Sequence, residues 1–136
     1  MNLTLDQAQG RVPVTILGIH GELDGSNYQM LIARAKELYD AGSRYLLLDM
    51  SDMPFMASSG LVALHSIVKL LQGEKAPDPE AGWEALHAIG REHKTGKQPF
   101  VKLLNPQPKV SKTLDMTGMQ EFFETHTDRA AAIASF

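Results

Sequence analysis

Two adjacent serines, Ser58 and Ser59, stand before Gly60 at the start of a long apolar run. Serine in that position has two uses. Its hydroxyl can accept a bond from an orphan backbone N–H and cap a helix. It can also carry a phosphoryl group, because the free N–H groups and dipole of a helix N-terminus favour negative charge. A phosphate adds about −2 of charge and rejects a partner that requires a neutral hydroxyl. Taken alone, the cap is the commoner use. A third use, nucleophilic catalysis, needs a base beside the hydroxyl. The sequence places no histidine there.

Other candidate groups are weaker. The acidic pairs Glu22/Asp24 and Asp49/Asp52 follow strand-like segments, where ligand sites of α/β folds sit. Solvated loop carboxylates are the plainer reading. His20, His65, His87, His93 and His126 contain no i, i+4 pair. They read as solvated surface residues, not as metal ligands. Cysteine is absent, which removes disulfides, thiolate zinc sites, iron–sulfur clusters and thiol nucleophiles. The phosphate-binding loop, the dinucleotide fingerprint, the H-E-x-x-H helix and the G-x-S-x-G elbow are all missing. The expectation is a protein that is not an enzyme and uses no cofactor and no metal.

The elements that must position these groups follow from periodicity. Leu3 and Leu5 alternate with polar neighbours, Gly10 turns the chain, and Val12, Val14 and Ile16 repeat at period two. That pattern predicts a short strand, a hairpin and a longer strand. Residues 21–25 read as a loop, with Ser26 or Asn27 capping a helix through Tyr28, Leu31, Ile32, Ala35, Leu38 and Tyr39. Gly42 closes it. Residues 45–48 read as a strand buried on both faces. The helix after Gly60 is apolar nearly all round and so largely buried. Residues 73–98 break the rhythm and read as a surface insertion with a short helix, Asp78 and Pro79 at its start and Trp83 anchoring it. A strand over 100–104, a helix with Val110 and Leu114, a strand over 120–123 and a final helix capped by Thr127 complete the order. Alternation of this kind predicts an α/β fold with mixed or parallel strands.

Composition sets the outer limits. A chain of 136 residues fills one domain, residues 1–136. Its 43% hydrophobic and 21% charged residues are ordinary for a folded chain. The net charge of −3 carries no basic stripe, so nucleic acid is not an expected partner. No apolar run reaches the ~18 residues of a membrane span, and residues 1–9 do not form a signal peptide. Direct membrane insertion is therefore not expected. With no cysteine to oxidise, the expected location is cytoplasmic.

Three blocks of residues resemble one known family. Gly21-Glu22-Leu23-Asp24 after a strand is similar to the G-E-L-D signature of STAS domains, the anti-sigma factor antagonists. Leu48-Asp49-Met50-Ser51 through Phe55-Met56-Ala57-Ser58-Ser59-Gly60-Leu61 is similar to that family's strand, loop and D-S-S-G-L helix start. Asn105-Pro106 through Val110, Leu114 and Asp115-Met116-Thr117-Gly118-Met119 resembles its third helix and closing turn. The resemblance implies a mixed sheet of four to five strands packed with about four helices, plus the helical insert near 73–98. It implies a partner that is both anti-sigma factor and serine-protein kinase. That kinase would switch the protein off by phosphorylating Ser59 with Mg-ATP, and a PP2C-type phosphatase would restore it. Asp24 matches the acidic residue beside that serine; Asp24, Ser58, Ser59 and Gly60 together form the implied partner-binding surface. Ala57 departs from the pattern, which usually has Asp there. The same fold also serves as a regulatory subunit of lipid-transport complexes and in sensory scaffolds, an alternative in which no sigma factor is involved.

Overall fold

The computed structural model describes residues 1–73 and 97–136. The sequence-predicted insert and Trp83 lie almost wholly outside the described residues. The chain opens with a hairpin, β1 (Asn2–Gln9) and β2 (Pro13–His20), paired antiparallel in unbroken register from Asn2↔His20 to Gln9↔Pro13. Helix α1 (Tyr28–Asp40) leads to β3 (Leu46–Asp49), and α2 (Ser58–Leu71) follows. After the undescribed segment come β4 (Val101–Leu104), α3 (Pro108–Met116), a 3₁₀ turn (Met119–Glu121), β5 (Thr125–His126) and α4 (Arg129–Ala134). The five strands lie in the order β1-β2-β3-β4-β5, and β2 to β5 are parallel.

This topology decides where the helices go. Successive parallel strands that step the same way across a sheet, joined by right-handed crossovers, put every crossover helix on one face. The core obeys that rule. Leu17, Ile19, Leu46, Leu48, Val101 and Leu103 point to the face packed by α1, α2 and α3. Val14, Ile16, Leu47 and Leu104 point the other way, against Ala132 and Ile133 of α4. The central strands are thus apolar on both faces, as the solid run of leucines predicts. Helix α2 buries ten of its fourteen residues.

Local endings agree with the chemistry of their residues. Gly42 follows α1 at φ 110° and Gly118 follows α3 at φ 76°, a region that favours glycine. Asp128 caps α4 by accepting from the Ala131 N–H at 3.2 Å. That corrects the expectation that Thr127 is the cap. The expected strand over 120–123 is also corrected. Phe122 and Phe123 are both buried, ring against ring at 5.4 Å, so their side chains do not alternate between faces. The pairing to β4 falls two residues later, with Leu103 N–H bonded to the Glu124 carbonyl and Asn105 N–H to that of His126. The expectation of solvated surface histidines is corrected at His65, 2% exposed inside α2, and at His126, which is partly buried, while His87 and His93 lie outside the described residues.

A polar cluster fixes α4 to the sheet. Lys102, on β4, is 3% exposed; its Nζ donates to the Ser135 carbonyl at 2.8 Å and pairs with Glu124 at 3.1 Å. His126 Nε2 lies 2.7 Å from the other Glu124 oxygen. Burial pushes the Glu124 carboxyl up, but the hydrogen bonds and charges of Lys102 and His126 outweigh it and leave it below its ordinary range.

Candidate functional site

The parallel strands β2, β3 and β4 end on the same side of the sheet, so the loops that follow them share one rim. That is where ligand and partner sites of α/β sheets form. The loop after β2 carries Asp24, and the loop after β3 carries Phe55 and leads to Ser58. Backbone hydrogen bonds join the two. Gly21 N–H donates to the Asp52 carbonyl at 3.0 Å, Leu23 N–H to that of Phe55 at 3.1 Å, and Ala57 N–H to that of Leu23 at 2.8 Å. Leu23 and Met56 form a parallel bridge outside the strands.

This join sets the start of α2. Ala57 is the N-cap, at φ −76° and ψ 171°, and no side chain caps the helix. Ser58 and Ser59 occupy the first turn itself. Neither is the cap that the plainer sequence reading expects, because the backbone bond to Leu23 fixes the helix start one residue earlier. Ser58 is exposed, Ser59 is half-buried and Gly60 is buried. A Cβ on Gly60 would stand 2.2 Å from Met56 Cγ and 3.1 Å from Leu23 Cδ2. Gly60 is therefore required beneath the surface: it lets α2 begin flush against the Leu23–Met56 bridge.

Asp24 shapes its own loop. Its Oδ1 accepts from the Ser26 N–H at 2.9 Å and from Ser26 Oγ at 2.5 Å. These bonds, the side-chain one first, hold its carboxyl below the ordinary range. Asp24 N–H donates to Asn27 Oδ1 at 3.0 Å, and Asn27 Nδ2 donates to the Glu22 carbonyl at 2.9 Å. The structure thus brings Asp24 and Ser59 to one rim through their backbones, while the carboxylate itself bonds to Ser26.

Two further residues brace the rim, and sequence reasoning missed their partnership. His20 Nδ1 lies 2.8 Å from Asp52 Oδ2, and His20 Nε2 lies 2.9 Å from Thr4 Oγ1. The chain links β1, the end of β2 and the loop before α2. On the other side, Ser51 bonds to Asp49 and Gln107 Nε2 donates to the Ser51 carbonyl at 2.7 Å. The β3–α2 loop is therefore tied on both flanks. Phe55 projects from it with 41% exposure, a large apolar side chain three residues before Ser58. Ser58 and Phe55 are both exposed on this rim. Among the described residues no group of three or more acidic, histidine or cysteine side chains can hold a metal ion. No described helix is long and apolar enough to cross a membrane.

Comparison with known proteins agrees with this geometry. The sequence matches the STAS domain family over residues 7–76, which takes in β2, the whole rim up to Ser59 and all of α2. No curated protein is significantly similar in sequence. Among solved structures, an anti-sigma factor antagonist from Mycobacterium paratuberculosis superposes with a TM-score of 0.66 at 16% identity, covering 98% of this chain and 92% of its own. The anti-sigma factor antagonist SpoIIAA in its unphosphorylated form gives 0.60 at 18% identity, over 96% and 92% of the two chains. The phosphorylated form of SpoIIAA, a Bacillus cell-fate determinant, gives 0.53 at 18% identity, over 96% of each chain. At these identities the likeness is one of fold.

Proposed function

From the premise that the chain belongs to the STAS domain family, we propose that it is an anti-sigma factor antagonist switched by phosphorylation of Ser59. The observation that carries the proposal is the start of α2. Ser59 sits in a first turn that no side chain caps, beside exposed Ser58 and Phe55. A partner docking there meets a neutral hydroxyl and an apolar side chain. A phosphate on Ser59 would face the positive end of the helix dipole, so it would leave the fold intact. It would still put about −2 of charge into the contact and reject the partner. Relatives that are anti-sigma factor antagonists, one of them solved in phosphorylated and unphosphorylated forms, support the reading.

Under this proposal the partner is an anti-sigma factor that is also a serine-protein kinase using Mg-ATP, and a PP2C-type phosphatase reverses the switch. Asp24 acts by shaping the loop that the Leu23 backbone joins to the start of α2, and Ser58 and Phe55 contribute contact surface. The protein itself catalyses nothing, and it works in the cytoplasm. The test is affinity capture from native lysate with wild type, Ser59→Ala and Ser59→Asp as baits. An ATP-binding anti-sigma kinase should be recovered by wild type and Ser59→Ala and lost with Ser59→Asp. Recovery of the same transport or scaffold components by all three baits would overturn it.

A further inference from the structure

The two edges of the sheet are finished differently. β5 is two residues long; β1 is eight. A free edge offers a row of unpaired N–H and C=O groups to any other strand. Folded proteins blunt such edges with short strands, Lys, Pro, bulges or a covering element. β5 is protected by its shortness. Among the described residues β1 has none of these devices. It contains no Lys and no Pro, and its register with β2 runs through eight pairs without a bulge. Among the described residues it pairs with β2 alone. Its one charge, Asp6, is already taken by Arg129 of α4. Leu5 is 44% exposed, and Leu3 borders a groove of about 310 Å³ shared with Met1, Met30, Ala33 and Arg34.

We infer that β1 pairs antiparallel with β1 of a second copy of this chain, across a two-fold axis at Thr4. The strand is self-complementary in that register. With Thr4 opposite its own copy, Leu3 faces Leu5 of the second copy and Leu5 faces Leu3. Both leucine pairs fall on the face that carries the groove, so Leu5 of the second copy covers its rim. Asp6 faces Asn2, an amide, not another carboxylate. If the axis shifts to Leu5, one leucine pair replaces two and Leu3 faces Gln7. Directly opposed side chains are the unit of sheet stabilisation, and that favours the Thr4 axis. A two-fold contact uses the same edge on both copies, so it closes at a dimer.

The absence of cysteine makes the register directly testable. Directly opposed residues in an antiparallel pair have Cα atoms roughly 4.5–5.5 Å apart, within disulfide reach. A Thr4→Cys chain should therefore cross-link to its copy under mild oxidation. In a Gln7→Cys chain the two thiols lie six residues apart along the pair, roughly 20 Å, and should not cross-link. Sedimentation equilibrium of the unmodified full chain should show a dimer. Leu5→Lys, at an exposed site that leaves the fold intact by circular dichroism, should weaken association about tenfold or more. A wild-type chain that stays monomeric at every concentration would overturn the inference, and so would a dimer indifferent to Leu5→Lys. Equal cross-linking of the Thr4→Cys and Gln7→Cys chains would overturn the register.

Discussion

Replacing Gly60 by Ala tests the packing that positions the serines. The helix itself would welcome the change, since Ala is better than Gly in a helix by about 0.5–1 kcal/mol. The added Cβ, however, would stand 2.2 Å from Met56 Cγ and 2.8 Å from its Sδ. Met56 is 1% exposed and Leu23 is 0% exposed, so neither has room to retreat. Forcing a methyl into a filled core costs about 1–3 kcal/mol. The overpacking term wins, and the net expectation is a loss of about 1–2 kcal/mol. Thermal unfolding followed by circular dichroism should show a midpoint lowered by about 4 °C per kcal/mol. The double variant Gly60→Ala/Met56→Ala makes the cause specific. Truncating Met56 alone leaves a cavity and costs about 2–5 kcal/mol, but it also makes space for the new methyl. The two effects should therefore be non-additive by about 1 kcal/mol or more. A Gly60→Ala chain as stable as wild type, or strict additivity in the double variant, would refute the argument that Gly60 exists for the Met56 contact.

Three further perturbations follow from the same structure. Glu124 has a lowered carboxyl pKa, so its pairing stabilises the fold above its unfolded pKa of about 4.5 and is lost as pH falls through the lower folded value; urea midpoints measured from neutral to acid pH should show Glu124→Gln less stable than wild type at neutral pH, with a shallower acid dependence. Asp128→Ala removes the only described side-chain cap and should cost about 0.5–2 kcal/mol by thermal unfolding, with loosening of α4 visible as faster amide exchange at Ala131 and Ala132. Ala57→Asp gives α2 a capping carboxylate and should raise stability by about 0.5–1 kcal/mol, while the gain from adding Ser59→Asp shrinks because the two carboxylates repel and compete for the same N–H groups; an undiminished gain in the double variant would contradict this account.

The sequence was legible where one period ran long enough. The α1 stripe through Leu31, Ala35 and Leu38 and the apolar α2 both lie where their spacing puts them. The three blocks similar to STAS domains also pointed to the correct fold. One reading failed and one contact was missed for want of any local signal. A two-residue strand has no period, and Phe122–Phe123 drew the assignment away from Thr125–His126. The His20–Asp52 contact spans 32 residues, so nothing near either residue announces it. The reading of a serine as the helix cap failed for a different reason. Ser is a favoured cap, but the cap position belongs to whichever residue the tertiary structure places there, and the bond from Ala57 N–H to the Leu23 carbonyl assigns it to Ala57.

That last point bears on the departure from the family pattern. An Asp in place of Ala57 would spend its carboxylate on the N–H groups of the first turn, the same groups that a phosphate on Ser59 would use. With Ala57 there, the helix start is held instead from outside the helix, by the Leu23 bond and by the fit of Gly60 under Met56. Neither support involves a serine hydroxyl. The first turn therefore keeps the N–H groups of Ser58 and Ser59 without a side-chain cap and its hydroxyls unspent on capping, on a loop fastened at both flanks by His20–Asp52 and Gln107–Ser51. Under the proposed function, phosphorylation of Ser59 on such a frame would change the charge presented to a partner without changing the frame, which is what a binary switch in a binding surface requires. On this argument Ala57 does not weaken the proposed switch; it would leave the N–H groups of Ser58 and Ser59 to the phosphate.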